Sequence, residues 1–156
     1  MTMVDIDSIK VVGIATRTSY RIESSTKAKI PGLWRRFSNE NIASKVPLKL
    51  DPSKIFAIYT EYDSDEHGAF TFILGVEVPE FSEIPEGMIG KTIKKSNYEV
   101  KESDEGPFQE VVSKVWKTVS KDLNLKDRRK YETDFESYDT SEDSSKGTVK
   151  VYLSIA

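Results

Sequence analysis

Hydrophobic and polar positions along the chain predict a strand, a helix and a hairpin in its first half. Residues 9–15 read IKVVGIA, a short β-branched run that is typical of a strand. After a polar stretch, apolar side chains recur at i, i+3, i+4 and i+7, which places one apolar stripe on a helix. They are Ile30, Leu33, Trp34 and Phe37. The runs IFAIYTEY at 55–62 and AFTFILGVEV at 69–78 flank a polar loop, so they predict the two strands of a hairpin.

The same order of elements returns in the second half. Residues 88–93 and 98–102 predict a pair of strands, or one strand with an interruption. A second stripe with helical spacing predicts the second main helix. It consists of Phe108, Val111, Val112, Val115, Trp116 and Val119. The runs YETDFESY at 131–138 and TVKVYLSI at 148–155 predict the last two strands, with a polar loop between them.

The order strand, helix, hairpin therefore occurs twice, which predicts an internal duplication. The segments YTEYDSDE and FESYDTSE share an aromatic–x–x–Tyr–Asp frame followed by an acidic loop, and in that frame Thr60 falls on Glu136. We expect an α+β fold in which duplicated βαββ modules form one antiparallel sheet with the two main helices on one side. The modules comprise about residues 9–78 and 88–155 of a single domain over residues 1–156.

Composition and charge narrow the function classes. Lys and Arg total 23 and Asp and Glu total 26, a formal net charge of -3, so we expect no direct contact with nucleic acid. The basic cluster KDRRK at 126–130 is interpreted as complementing the C-terminal dipole of the second helix. No apolar run approaches the roughly 18 residues of a membrane span, and the N-terminus has no signal pattern. We therefore expect a cytoplasmic protein without membrane contact.

The residue types also limit the possible cofactors. The absence of cysteine excludes disulfides, thiolate catalysis and cysteine-based metal sites. The sequence has no glycine-rich phosphate loop of the kind that binds nucleotide cofactors. We therefore expect neither a cofactor nor a metal.

The clearest candidate for chemistry is Glu136. Alternation along a strand places Glu136 on one face together with Glu132, Asp134 and Tyr138. We expect Glu132 and Asp134 to face solvent. The duplication, in contrast, sets Glu136 opposite Thr60, near the middle of the sheet.

The face that carries Thr60 is apolar and aromatic, since it also holds Phe56, Ile58 and Tyr62. Burial among such side chains raises the pKa of a carboxyl group, whereas a cationic ligand lowers it by pairing with the charge. Aromatic faces add cation–π attraction. A concave apolar site with one central acid therefore favours flat, lipophilic and often positively charged molecules, and the same acid could serve as a general acid or base.

The order and spacing of several segments carry a family resemblance. They are LWRRF in the first helix, IFAIYTEYDSDEHGAFTFILGVEV, PEGMIGKTI, NYEV, DEGPF and the terminal FESYDTSEDSSKGTVKVYLSI. From about Ile9 to Ile155 the chain resembles the GyrI-like effector-binding family, and it is similar to the ligand-binding domains of AraC-type and MerR-type multidrug regulators of transcription. Two features depart from that pattern: the chain has no helix-turn-helix module, and Lys94 stands where family members usually have proline.

The resemblance implies a duplication of the SHS2 type, with a groove between the modules that binds small organic molecules. The family's central acid falls on Glu136, and its tyrosine two residues later falls on Tyr138. The aromatic residue of the strand after the hairpin loop falls on Phe70 or Phe72, and we take Phe72 as the wall residue. The remaining wall positions fall on Trp34, Tyr59, Tyr98 and Trp116.

Three functions are compatible with these observations, and the first is favoured. It is a stand-alone domain that binds amphipathic, cationic, drug-like molecules, with Glu136 as the charge partner and the six aromatic side chains as walls. The second is a hydrolase of cyclopropane-bearing genotoxins, an activity ascribed to some members of the family. In that case Glu136 would activate water or protonate the substrate carbonyl, and Tyr138 or Tyr59 would stabilise the oxyanion.

The third function is a protein interaction of the kind that the family name suggests, with DNA gyrase or a separate regulator as partner. An acidic surface would meet a basic surface of that partner. Its residues would be Glu132, Asp134, Asp139, Glu142 and Asp143.

Overall fold

The computed structural model describes residues 2–51, 53–64, 68–140 and 146–156, with residues 2–6 described by their backbone alone. Nine strands lie in this part of the chain and form one antiparallel sheet. Their bounds are Thr2–Ile6 (β1), Ile9–Ser19 (β2), Lys54–Thr60 (β3), Ala69–Val78 (β4), Ile89–Ile93 (β5), Ser96–Glu102 (β6), Gly106–Pro107 (β7), Thr133–Thr140 (β8) and Lys146–Ser154 (β9).

Five helices lie in the same described ranges, and with the sheet they confirm an α+β fold. Their bounds are Tyr20–Glu23 (α1), Ile30–Asn39 (α2), Ile42–Lys45 (α3), Phe108–Lys121 (α4) and Leu123–Arg128 (α5). The two apolar stripes predicted from the sequence are confirmed as α2 and α4. Among the described residues, none of these helices combines the length and the apolar character that crossing a bilayer needs.

The strands follow one another across the sheet in the order β1-β6-β9-β8-β3-β4-β2-β5, and the two-residue β7 pairs with β9 outside this path. The central pair is β3 with β8, in which Ala57 lies opposite Glu136. Outward from this pair lie β4 and β2 on one side and β9 and β6 on the other. The strands β2, β3 and β4 therefore occupy one half of the sheet and β6, β8 and β9 the other, while β1 and β5 each lie at the edge of the opposite half.

The sheet buries apolar side chains on both faces. On one face, Ala57 and Leu74 belong to the larger core cluster, which also contains the buried side chains of α2 and α4. On the other face, Phe56, Ile73 and Phe135 belong to a smaller cluster whose described members all come from strands. The main helices therefore pack on one face, and alternation with Phe135 places Glu136 on that same face.

The sheet is strongly curled. Its strand order places β5 and β6 six steps apart, which would be roughly 29 Å in a flat sheet. Only Lys94 and Lys95 join the two strands, and a link of that length spans at most about 11 Å. The ends of β5 and β6 therefore meet, and the curled sheet itself encloses the smaller cluster. The two strands predicted at 88–93 and 98–102 are present as β5 and β6, but they do not pair with each other, because β5 pairs with β2 while β6 pairs with β1 and β9.

Two residues in the left-handed region bound the central strands. Glu61, with φ of 53°, follows the end of β3, and Tyr131, with φ of 55°, precedes β8. The strand predicted to begin at Tyr131 consequently begins at Thr133. The backbone reversal at Glu61 also breaks the alternation of β3, so Tyr62 packs against the helix-side core rather than with Phe56.

Candidate functional site

Glu136 lies in the middle of the sheet, on the face that the helices cover. Its side chain is buried, with 2% of the residue exposed. The predicted position opposite Thr60 is wrong, because Thr60 pairs with Thr133 and Glu136 pairs with Ala57. Thr60 lies on the same face of β3 as Phe56, which packs in the smaller cluster on the other side of the sheet. The alignment of the two halves that placed Thr60 on Glu136 is therefore out of register.

Three aromatic side chains from three different elements donate hydrogen bonds to the Glu136 carboxylate. The indole N–H of Trp116 on α4 lies 2.6 Å from Oε2, and the hydroxyl of Tyr59 on β3 lies 3.0 Å from the same oxygen. The hydroxyl of Tyr138, two residues along β8, lies 2.7 Å from Oε1. All three partners are neutral, so they stabilise the charged carboxylate without cancelling its charge.

The electrostatics of this group follow from burial. Burial raises the pKa of Glu136, and the hydrogen bonds from Tyr138, Trp116 and Tyr59 oppose that rise. Burial, followed by the charge of Glu136, raises the pKa of both Tyr59 and Tyr138 well above the ordinary value. The two tyrosines therefore stay protonated and remain donors to the carboxylate.

A cavity of about 640 Å³ lies next to this network. Its aromatic wall consists of Tyr20, Tyr59, Tyr62, Phe70, Trp116 and Tyr131. The Glu136 side chain is not part of the wall, because Tyr59 and Trp116 reach both the cavity and the carboxylate. The carboxylate therefore lies directly behind the aromatic wall.

Five of these side chains form one continuous layer, which we call the aromatic layer. They touch in the order Trp116, Tyr59, Phe70, Tyr62 and Tyr131. The ring centroids of neighbours are 5.5 Å, 5.6 Å, 5.8 Å and 5.9 Å apart in that order. These spacings are those of tilted and edge-to-face aromatic pairs, so the layer presents both ring faces and ring edges to the cavity.

A second acid, Asp134, lies behind the same layer. The expectation that Asp134 faces solvent is wrong, since none of its surface is exposed. It accepts hydrogen bonds from the hydroxyl of Tyr62 and the guanidinium of Arg129, each at 2.7 Å, and from the backbone N–H of Ser154 at 2.9 Å. Glu132, in contrast, is exposed as predicted. A buried carboxylate needs such partners, and here the cation is supplied by Arg129.

The acidic surface predicted for a basic partner is not a continuous patch in the described part of the chain. Asp134 is buried and paired, so it presents no charge to a partner. Asp139 lies 4.0 Å from the ammonium group of Lys54, which offsets its charge. Glu142 and Asp143 lie outside the described residues.

The structure brings most of the predicted site residues together. Glu136, Tyr138, Tyr59 and Trp116 form the hydrogen-bonded network described above. Trp34 packs edge-on against Tyr138 with ring centroids 5.0 Å apart, and Phe72 lies fully buried behind Tyr59 at 5.0 Å. These two therefore support the network from the core, and neither is among the described residues that line the cavity.

Tyr98 is the exception. It lies in the smaller cluster on the other face of the sheet, where its ring packs edge-on against Phe135 at 5.3 Å. Its hydroxyl donates a hydrogen bond to the carbonyl of Lys94. The structure does not bring Tyr98 to the cavity, and we leave it out of the proposed site.

The sequence did not identify several side chains of the cavity wall, among them Tyr20, Tyr62, Tyr131 and Arg129, and it left Phe70 as the alternative to Phe72. Strict alternation along the strand predicts Tyr62 on the face of Phe56, but the left-handed residue Glu61 turns it to the other face. Arg129 belongs to the basic cluster at 126–130, whose position after a helix gave no indication that it turns inward.

An aromatic cavity with a few polar groups beside it is the kind of concave, largely apolar site that suits small organic molecules. The chain matches the model of the Cass2 family, described as integron-associated effector binding protein, over residues 2–155. It belongs to this family, which confirms the resemblance to effector-binding domains.

Individual relatives agree with this assignment. The protein YobU of Bacillus subtilis strain 168 is 26% identical over 152 residues, which cover 96% of this chain and 94% of YobU. The integron cassette protein VCH_CASS2 of Vibrio cholerae has a TM-score of 0.78 at 25% identity, covering 99% of this chain and 95% of that one.

Two further solved structures share the fold. SAV2435 bound to tetraphenylphosphonium has a TM-score of 0.79 at 18% identity, with 99% of this chain and 93% of that chain covered. The C-terminal domain of EcmrR has a TM-score of 0.62 at 13% identity, with 99% and 96% covered.

Proposed function

We propose that this protein binds lipophilic cations in the cavity beside Glu136. The observation that carries the proposal is a buried carboxylate whose three hydrogen-bond partners are all neutral. Burying an uncompensated charge disfavours the folded protein, so the site gains most from a ligand that brings the missing positive charge. The aromatic layer supplies apolar contact area and cation–π attraction for that ligand.

The position of Glu136 behind the wall sets how it acts on a ligand. A cation that rests against Tyr59 and Trp116 is one aromatic side chain away from the carboxylate. In the low-dielectric interior, Coulomb attraction over such a distance is several times stronger than in water. Quaternary or delocalised cations suit this arrangement, because they need no direct hydrogen bond to the acid.

The relative SAV2435 supports this ligand class. It was determined with bound tetraphenylphosphonium, a lipophilic cation without hydrogen-bond donors, and it shares the fold of this chain. We propose the same class of ligand here, with Glu136, Tyr138, Tyr59 and Trp116 as the binding residues. Trp34 and Phe72 hold Tyr138 and Tyr59 in place from the core.

Tetraphenylphosphonium and tetraphenylborate make a direct test, because the two ions have nearly the same shape and opposite charge. Isothermal titration calorimetry should show that the parent protein binds the phosphonium ion and not the borate. Glu136→Gln should lower the affinity for tetraphenylphosphonium at least tenfold. The matched control is Glu132→Gln, just before the same strand, where the side chain is exposed and the affinity should not change. Equal binding of the two ions, or unchanged binding in Glu136→Gln, would refute the proposal.

The hydrolase alternative depends on the same residue. A general acid benefits from the raised pKa of Glu136, and Tyr138 is placed to donate a hydrogen bond. Glu136, however, is buried, and its carboxylate lies behind Tyr59 and Trp116 rather than on the cavity wall. That geometry favours binding over turnover.

We also propose that the two halves of the chain are duplicated βαββ modules. The strand order supports this proposal, because β3, β4 and β2 follow one another outward on one side as β8, β9 and β6 do on the other. Superposition of residues 9–78 on 88–155 should match β2, α2, β3 and β4 with β6, α4, β8 and β9. A match in any other order would refute the duplication.

A further inference from the structure

The aromatic layer ends, at the side opposite Trp116, on a cation that the protein itself supplies. Arg129 follows α5 and lines the cavity, and 11% of its side chain is exposed. Its guanidinium lies 2.7 Å from the carboxylate of Asp134 and 4.3 Å from the ring centroid of Tyr131. An ion pair on one side and an aromatic ring on the other are the contacts expected of a bound cationic ligand.

The two buried acids are arranged in parallel. Glu136 and Asp134 are two residues apart on β8 and both are buried. Each accepts a hydrogen bond from a tyrosine of the aromatic layer, Tyr59 for Glu136 and Tyr62 for Asp134. The two acids differ in their counter-charge, because the hydrogen-bond partners of Glu136 are neutral while Asp134 pairs with the cation of Arg129.

A purely structural role does not account well for Arg129. Its Nε atom is buried and has no hydrogen-bond partner, although a guanidinium in a stabilising network usually satisfies its donors. Buried ion pairs also contribute little to stability compared with apolar side chains of similar volume. The arrangement is better explained by what Arg129 does to the charge of the cavity.

We propose that Arg129 determines ligand specificity by occupying a second cation subsite, formed by Asp134, Tyr62 and Tyr131. The ligand class rests on the function proposed above. With Arg129 in place, Asp134 is already paired with a cation, so a second cationic centre of a ligand finds no free acid at this end of the cavity. Glu23 also lines the wall, where its carboxylate accepts hydrogen bonds from the Thr18 hydroxyl and from the N–H groups at the start of α2. A second centre would meet the charge of Arg129, and Lys117 on the same wall adds to that repulsion.

Arg129→Met tests the proposal because methionine keeps a long apolar side chain and removes the charge. Suitable probes are a bis-quinolinium dication with a flexible methylene linker and the N-alkyl quinolinium ion that is one half of it. In the variant, the ratio of dication affinity to monocation affinity should rise at least tenfold over the parent. Arg129→Lys keeps the charge and should leave the ratio unchanged, and Arg129→Met combined with Asp134→Asn should abolish the gain.

Removal of Arg129 leaves Asp134 buried without its cation, which destabilises the folded protein. Recovery of the folded state on addition of a cationic ligand can then be used to measure binding. If Arg129→Met does not fold alone, the bis-quinolinium dication should restore a cooperative melting transition. The concentration required should be at least tenfold lower than for the N-alkyl quinolinium ion. Equal effectiveness of the two probes, or an unchanged affinity ratio in a folded variant, would overturn the proposal.

An alkylguanidinium ion separates this proposal from the function proposed for Glu136. It replaces the side-chain end that Arg129→Ala removes, so it should raise the melting temperature of that variant and not of the parent. If the parent binds no lipophilic cation while this rescue occurs, the proposed function fails and the Asp134 subsite stands. If tetraphenylphosphonium binds as expected while neither the rescue nor the dication preference occurs, the subsite is refuted alone.

Discussion

The indole N–H of Trp116 lies 2.6 Å from Oε2 of Glu136, and this bond joins α4 to the central strand of the sheet. Trp116 also lines the cavity, so one side chain contacts both the space for a ligand and the acid behind it. A change in the charge of Glu136 therefore changes the wall that a ligand touches. Ligand contact and buried charge are coupled through this residue.

Tryptophan fluorescence should report ligand binding through Trp116 alone. The chain has two tryptophans, and Trp34 packs against Tyr138 rather than lining the cavity. Binding of tetraphenylphosphonium should change the emission of the parent and of Trp34→Phe. The change should be absent in Trp116→Phe, measured at a ligand concentration that saturates that variant by calorimetry. A signal that disappears in Trp34→Phe instead would place the ligand elsewhere.

Local patterns were sufficient to predict the elements that carry the site. The apolar stripes through Leu33 and Val115 are confirmed as α2 and α4, because helical spacing depends on nearby residues alone. The family resemblance correctly indicated that Glu136 lies among aromatic side chains. The alignment of Glu136 with Thr60 led to the same expectation through the wrong face of the sheet, because Thr60 and Phe56 face the smaller cluster.

Contacts that depend on sheet order could not be predicted in this way. Tyr98 was expected in the cavity wall, but the curl that joins β5 to β6 turns its side chain into the smaller cluster. Asp134 was expected in solvent, because nothing in the sequence shows that the chain reverses at Tyr131 and brings Arg129 inward. Both errors concern side chains whose partners are fixed by the path of the backbone between elements.

The N-terminus of α2 should depend on a carboxylate from outside the helix. Lys29 provides no side-chain cap, and Glu23 instead accepts hydrogen bonds from the N–H groups of Lys29 at 2.9 Å and Ile30 at 3.1 Å. Glu23→Ala should lower the free energy of unfolding by about 1–2 kcal/mol in a urea titration. Glu40→Ala, which removes only an exposed pair with Arg36, should change it by about 0.5 kcal/mol or less. Equal effects of the two substitutions would argue against the cap.

Removal of one tyrosine hydroxyl should shift the pH dependence of ligand binding. The hydrogen bonds from Tyr138 and Tyr59 lower the pKa of Glu136, so Tyr138→Phe and Tyr59→Phe should each raise it. The pH at which tetraphenylphosphonium affinity reaches half its maximum should move upward in both variants. Each should also lose roughly 1–3 kcal/mol of stability, because a bond to a charged group is removed.

Tyr98→Phe is the matched control for those two substitutions. It removes a tyrosine hydroxyl whose bond, to the carbonyl of Lys94 at 3.3 Å, lies on the other face of the sheet. Calorimetric titrations at several pH values should give the same midpoint for Tyr98→Phe and the parent. A shift in the control as large as in Tyr138→Phe would mean that the midpoint does not report Glu136.

Replacement of Glu136 by glutamine should stabilise the unliganded protein at neutral pH. Burial raises the pKa of Glu136 above its ordinary value of 4.5, so on raising the pH the unfolded chain releases this proton before the folded protein does. The free energy of unfolding of the parent therefore falls as pH rises from 4.5 through the folded-state pKa, by about 1.4 kcal/mol for each pH unit between the two pKa values. Glutamine does not titrate, so Glu136→Gln escapes this loss.

The difference in unfolding free energy between Glu136→Gln and the parent should thus grow through that pH window and stay constant above it. Urea titrations from pH 4 to pH 8 measure it, and other carboxylates cancel because they titrate in both proteins. A difference independent of pH would show that Glu136 has no raised pKa. Addition of tetraphenylphosphonium should then raise the stability of the parent more than that of the variant, because the cation offsets the charge that destabilises the empty site.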